Sequence, residues 1–131
     1  MSTAAKPLVW LTGTLVTPPV GREARREAGY LLRLLQLGES LGMPQSRPMP
    51  EVGRRVHELR VKDAGTSSTW RIFYRLDPDV ILVPHWFAKK DEKTPKGEIA
   101  VCQGRLSAYD QAVAAAAKAM SKGKKVTRRK T

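Results

Sequence analysis

Three apolar-rich runs constrain this chain more than anything else in it: VHELRVK (56–62), TWRIFYRL (69–76) and VILVPHWF (80–87), separated by the turn-forming links DAGTSS and DPD. Links this short join only antiparallel neighbours, because a parallel return needs a crossover of a dozen or more residues. The middle of the chain is therefore predicted to be an antiparallel meander. Pro84 lacks a backbone donor, so the last run should bend there or lie where one rung can be omitted.

Alternation along a strand sorts the side chains of the meander into two sets. Trp70, Ile72, Tyr74 and Leu76 share one face with His57, Leu59 and Val61, and this set is predicted to meet the helices. The opposite set holds Glu58, Arg60, Lys62, Arg71, Phe73 and Arg75. Three arginines on neighbouring strands repel unless an acid or a bound anion lies among them, and Glu58 alone cannot neutralise them. That face is predicted to be open, basic and able to take an anion, with Phe73 an aromatic that either stacks on a base or belongs to the core.

Elements on either side complete the domain. LVWL (8–11), directly after Pro7, reads as a short first strand. Thr17 as a cap, with Pro18 and Pro19 at the entry, opens an amphipathic helix through Val20, Ala24, Ala28, Leu31, Leu32 and Leu35, ending near Gly38 to Gly42. Its arginines, Arg22, Arg25, Arg26 and Arg33, read as a solvated face. MPQSRPMPE (43–51) has three prolines and no periodicity and is predicted to be a loop. Thr94 as cap, Pro95 at the first helical position and Glu98 in the first turn then open a second helix with Ile99, Cys102, Leu106, Tyr109 and Val113 on one stripe, fraying toward Met120. The prediction is an α+β domain, residues 1–119, with a mainly antiparallel sheet of about four strands and helices on one face.

Charge narrows the partners. The 131 residues carry 24 Lys and Arg against 12 Asp and Glu, a net charge of +12, the kind of excess that accompanies polyanionic partners such as nucleic acid. Seven of the basic groups fall in KAMSKGKKVTRRKT (118–131), which has no acid. Residues 120–131 are predicted to be a disordered basic tail with non-specific phosphate affinity. Cys102 is the only cysteine, which leaves no internal disulfide and fits a reducing, cytoplasmic setting. No apolar run approaches the ~20 residues a bilayer needs, so no membrane association is expected. His57 and His85 are far apart with no carboxylate at ligand spacing, and neither a zinc spacing nor a glycine-rich phosphate loop occurs, so no metal or cofactor is expected.

HWFAKKDEKTP (85–95) packs Lys89, Lys90 and Lys93 into five positions at the end of the last strand, just before a helix start. Two ammonium groups ~5 Å apart at an effective dielectric of ~20 repel by roughly 3 kcal/mol, which is negligible if both point into water and large if they converge. Asp91 and Glu92 relieve part of it and favour a solvated turn. The alternative is a site held ready for an anion beside the positive end of the helix.

Taken together, VHELR (56–60), WRIFYR (70–75) and HWFAKKDEKTPKGEI (85–99) resemble the RelE/ParE toxin superfamily, most closely its phage-derived HigB-like branch. The likeness covers about residues 7–110 and rests chiefly on Phe87, Lys89, Lys90, Lys93, Thr94 and Pro95. It implies a small α+β toxin with a basic groove, neutralised by a cognate antitoxin protein, that cuts mRNA without a metal or other cofactor, often on the ribosome. By position it implies catalytic roles for Arg60, Arg71, Lys89 and Lys90, and RNA-binding roles for Lys62, Phe73, Arg75, His85 and Lys93. Asp91 and Glu92 stand where relatives are more often polar, and no residue is an obvious dedicated general base. A non-catalytic ParE-like toxin, or a nucleic-acid-binding module of prophage origin, is the alternative.

Overall fold

A computed structural model describes residues 5–66, 68–89 and 95–129, with side chains as far as Lys122. The elements run β1 (Leu8–Trp10), α1 (Arg22–Gln36), β2 (Ser46–Pro48), β3 (Val56–Asp63), β4 (Ser68–Leu76), β5 (Ile81–Lys89) and α2 (Lys96–Arg129). The meander forms as its short links require: β3 pairs with β4 and β4 with β5, all antiparallel. The register shifts between Phe73 and Arg75, beside Pro84, whose missing donor accounts for the irregular rung.

The sheet has five strands in the order β1-β5-β4-β3-β2, one more than predicted. β1 adds parallel to β5, and β2 adds antiparallel to β3 at the other edge. β2 lies inside the proline-rich 43–51 segment read as a loop. Three residues suffice because the pairing is at an edge, where Pro48 need not donate.

The α+β class and the mainly antiparallel sheet are as predicted, but the helices do not share one face. Leu31, Leu32 and Leu35 of α1 pack with Leu59, Val61, Ile72, Tyr74 and Val83, the first predicted face. Cys102 and Leu106 of α2 pack with Val56, Phe73, Val80 and Leu82, side chains of opposite parity. The meander carries apolar groups on both parities, so each face needs its own cover.

α1 begins at Arg22, later than the Thr17 cap predicts, because its N-terminus is held from elsewhere. The Asp63 carboxylate, at the end of β3, accepts from the Gly21 N–H at 2.7 Å and from Trp70 Nε1 at 2.9 Å. Those bonds hold Asp63 below the ordinary aspartate pKa, the Trp70 bond contributing most. A side chain at Gly21 would bring a Cβ within 3.0 Å of the Asp63 carboxyl carbon. α2 opens with Pro95, whose carbonyl accepts from the Glu98 and Ile99 N–H groups, and its backbone continues past Met120, where the stripe predicts fraying. Five of residues 121–129 are lysine or arginine, both fair helix formers, which suits that continuation. Among the described residues, no helix is long and apolar enough to cross a membrane.

Candidate nucleic-acid interface

α2 covers only half of its face of the sheet. Its apolar stripe lies over Val56, Phe73, Val80 and Leu82, and the register carries the same face onward to Glu58, Arg60 and Lys62 on β3, Thr69 and Arg71 on β4, and Phe87 and Lys89 on β5. Arg60 stands directly opposite Arg71, Thr69 opposite Lys89, and Arg47 on β2 opposite Glu58. Among the described residues, four cations, Arg47, Arg60, Arg71 and Lys89, thereby gather around one carboxylate.

That carboxylate is fully buried. Glu58 Oε1 accepts from Arg47 Nε at 3.1 Å and from Arg71 Nη1 at 3.4 Å. Burial pulls the Arg71 guanidinium below its ordinary pKa, with Arg60 and Arg47 adding to the effect and Glu58 opposing it. Burial likewise lowers the Lys89 ammonium, reinforced by Arg71 and opposed by Glu58. Among the described residues this is one carboxylate against four cations, a balance that a bound phosphate would offset. Arg71 and Lys89 are only 4% and 6% exposed, so they form the floor of the cluster rather than part of an open surface. The Arg47 side chain, 34% exposed, and the half-buried Arg60 form its rim.

Sequence reasoning brought Arg60, Arg71 and Lys89 together correctly, and Lys62 lies on the same face beyond Arg60. It missed Arg47, which sits in the segment read as a loop. Three residues ending in a proline carry too little alternation to signal a strand. Lys90 and Lys93 lie outside the described residues, as does Thr94.

Two residues assigned to RNA are not available to it. Phe73 is fully buried in the α2 core, edge-on to Phe87 at 5.6 Å, so no base can stack on it. Arg75 is clamped by Asp77 at 2.7 and 2.8 Å and by Asp110 of α2 at 2.7 and 3.0 Å, bonds that raise its pKa, Asp110 contributing most. It fastens α2 to the sheet. Both had the predicted parity, but the face they share is the one α2 covers.

His85 is partly exposed and stacks on Phe87 at 5.5 Å. Arg105 donates from Nη1 to His85 Nδ1 at 3.0 Å and to the Pro84 carbonyl at 2.9 Å. A guanidinium can only donate, so Nδ1 accepts and the ring proton sits on Nε2, facing the Glu98 carboxylate. Helix and strand thus fix the tautomer between them. Among the described residues, no group of three or more His, Cys, Asp or Glu side chains is placed to hold a metal ion.

The family model for phage-derived Gp49-like proteins (DUF891) matches residues 20–107, well over half of the chain and the whole span from α1 through the first three turns of α2. The chain belongs to that family. The matched span includes Arg47, Glu58, Arg60, Arg71, Lys89, His85 and Glu98, and thus every side chain of the cluster and of the His85 group. No curated protein matches the sequence.

Proposed function

We propose that this Gp49-family protein is a RelE-like toxin that cleaves mRNA by transesterification. One observation carries the reading: Arg47, Arg60, Arg71 and Lys89, from four different strands, converge around the buried Glu58 on the half of the sheet that α2 leaves uncovered. RNA cleavage without an external nucleophile needs the ribose 2′-OH to lose its proton and attack the adjacent phosphorus. The 2′-O–P bond forms, the P–5′-O bond breaks, and the leaving oxygen takes up a proton, giving a 2′,3′-cyclic phosphate and a 5′-hydroxyl. Charge grows on the phosphate oxygens as this happens, and fixed guanidinium groups in a desolvated site stabilise it.

Arg47 and Arg60, on the rim, hold the incoming phosphate, and Arg71 stabilises the pentacoordinate phosphorane from the floor. Lys89, with its proton held less tightly than an ordinary lysine, is the group suited to exchange it with the 2′-OH or the leaving oxygen. Lys62 extends the positive track for the backbone beyond Arg60. In the same reading the partners are a cognate antitoxin, which covers the cations with acidic side chains, and the translating ribosome, which presents the mRNA.

The test is to add purified protein to a translation extract and map mRNA 5′ ends. New 5′-hydroxyl ends are expected with the unaltered protein. They should be strongly reduced with Arg60→Ala and Lys89→Ala, and partly retained with Arg71→Lys, which keeps the buried charge. Unchanged ends from a folded sample overturn the nuclease reading. Binding to RNA without cleavage would favour a non-catalytic role for the same face.

A further inference from the structure

β2 stops short, and a recess opens where it ends. The Arg60 N–H donates to the Gln45 carbonyl at 2.8 Å, and β2 gives β3 no paired residue past Leu59 in the sheet register. Off this edge of β3 lies a recess of about 470 Å³ lined by Glu27, Pro44, Gln45, Arg60, Lys62 and Thr69. Its volume lies in the ~300–1,000 Å³ range of sites for small organic ligands. Arg60 belongs both to this recess and to the cation cluster, so the two are continuous.

The lining is chemically asymmetric. Arg60 and Lys62 only donate, and Thr69 and the Gln45 amide can donate, all of which suits the carbonyl or ring-nitrogen acceptors, at least one kind of which every nucleobase carries. Glu27 is the one group in the recess that, when ionised, can only accept. Among the described residues it forms no ion pair with a cation within 4.0 Å, although Lys62 lines the same recess. A carboxylate so placed finds its complement in an exocyclic amino group, the pairing by which acidic side chains read cytosine. Uracil has no exocyclic amino group and offers only its N3–H, which is flanked on both sides by carbonyl oxygens that repel a carboxylate.

We propose that the recess is a base-specificity subsite: a nucleotide whose phosphate lies on Arg60 and the cation cluster places its base between Pro44, Gln45 and Thr69, and Glu27 selects bases bearing an exocyclic amino group over uracil. This rests on the proposed RNA-cleaving reading for its biological setting but not for its test. The probes are ribose 5-phosphate and the 5′-monophosphates of cytidine, adenosine, guanosine and uridine, titrated into the full chain by calorimetry at low salt. The three amino-bearing nucleotides should bind about fivefold or more tighter than uridine monophosphate, the scale of one charge-assisted hydrogen bond. Glu27→Ala, on the exposed face of α1, should reduce them to the uridine level and leave ribose 5-phosphate unchanged. Arg60→Ala should weaken all five.

Equal binding of ribose 5-phosphate and all four nucleotides overturns the subsite, as does a base preference that survives Glu27→Ala, or no binding by any nucleotide. Base preference that Glu27→Ala abolishes, in a protein that leaves mRNA intact, supports the subsite and counts against the nuclease reading.

Discussion

Arg71 donates from Nη1 to the fully buried Glu58 at 3.4 Å, and among the described residues its own Nε, equally buried, has no hydrogen-bond partner. An unsatisfied buried donor costs roughly 1–3 kcal/mol, more when charged, so this Nε is a donor that a bound anion could satisfy. The pair is better understood as one part of an anion site than as a finished salt bridge.

Glu58→Gln should therefore destabilise the fold while leaving its shape intact, since it removes the carboxylate that four cations share. A loss of about 3–5 kcal/mol in urea unfolding is expected, the scale of breaking a buried pair by removing one partner. Added inorganic phosphate should restore part of it, because an anion bound only by the folded state stabilises in proportion to its occupancy. Equal loss with and without phosphate would mean that the cluster holds no anion.

Arg47→Ala should weaken RNA binding uniformly across sequences and lower the slope of log affinity against log salt by about one, the signature of a lost phosphate contact. The edge strand needs little from that side chain, so the melting temperature should move far less than for Glu58→Gln.

Acid stability should depend on the Arg75 clamp. Asp110 is held below the ordinary aspartate pKa of 3.8, chiefly by its hydrogen bond from Arg75, and Asp63 is likewise lowered. A carboxyl depressed by folding adds stability above its unfolded pKa and loses it as pH falls through the folded value. Thermal stability should thus be flat near neutrality and decline below about pH 4 as the unfolded state takes up protons that the folded state refuses. Asp110→Asn should lie below the unaltered protein at pH 7 and converge with it in acid.

Gly21→Ala should cost about 1–3 kcal/mol, because the new methyl must displace a carboxylate held by three hydrogen bonds, from Gly21, Gly65 and Trp70. Chemical denaturation checks it.

Cys102 should resist thiol reagents in the native state. It is fully buried on the face of α2 that packs against the sheet, and burial pushes its thiol up to about 12. Its labelling rate would then report how often α2 lifts from the sheet.

What the sequence revealed, and what it hid, both trace to strand parity. Short links made the meander legible, alternation placed Arg60 and Arg71 on one side without any coordinates, and the family resemblance added Lys89 to them. Alternation does not say what covers a side, however. Phe73 and Arg75 share parity with Arg71 yet lie beneath α2, and the available hint was that α2's own stripe, Ile99, Cys102 and Leu106, also needed a sheet face. Arg47 was hidden for a different reason: a three-residue edge strand flanked by prolines has too little pattern to distinguish from a loop. The partnership of Arg75 with Asp110, 35 residues away, has no local trace at all.

Asp63 joins the start of α1, the β3–β4 turn and the indole of Trp70 through one carboxylate. Hairpin closure and docking of the first helix are consequently a single cooperative event, since neither obtains its full set of bonds without the other. The cation cluster, built on that same hairpin, therefore cannot assemble ahead of the first helix that braces it.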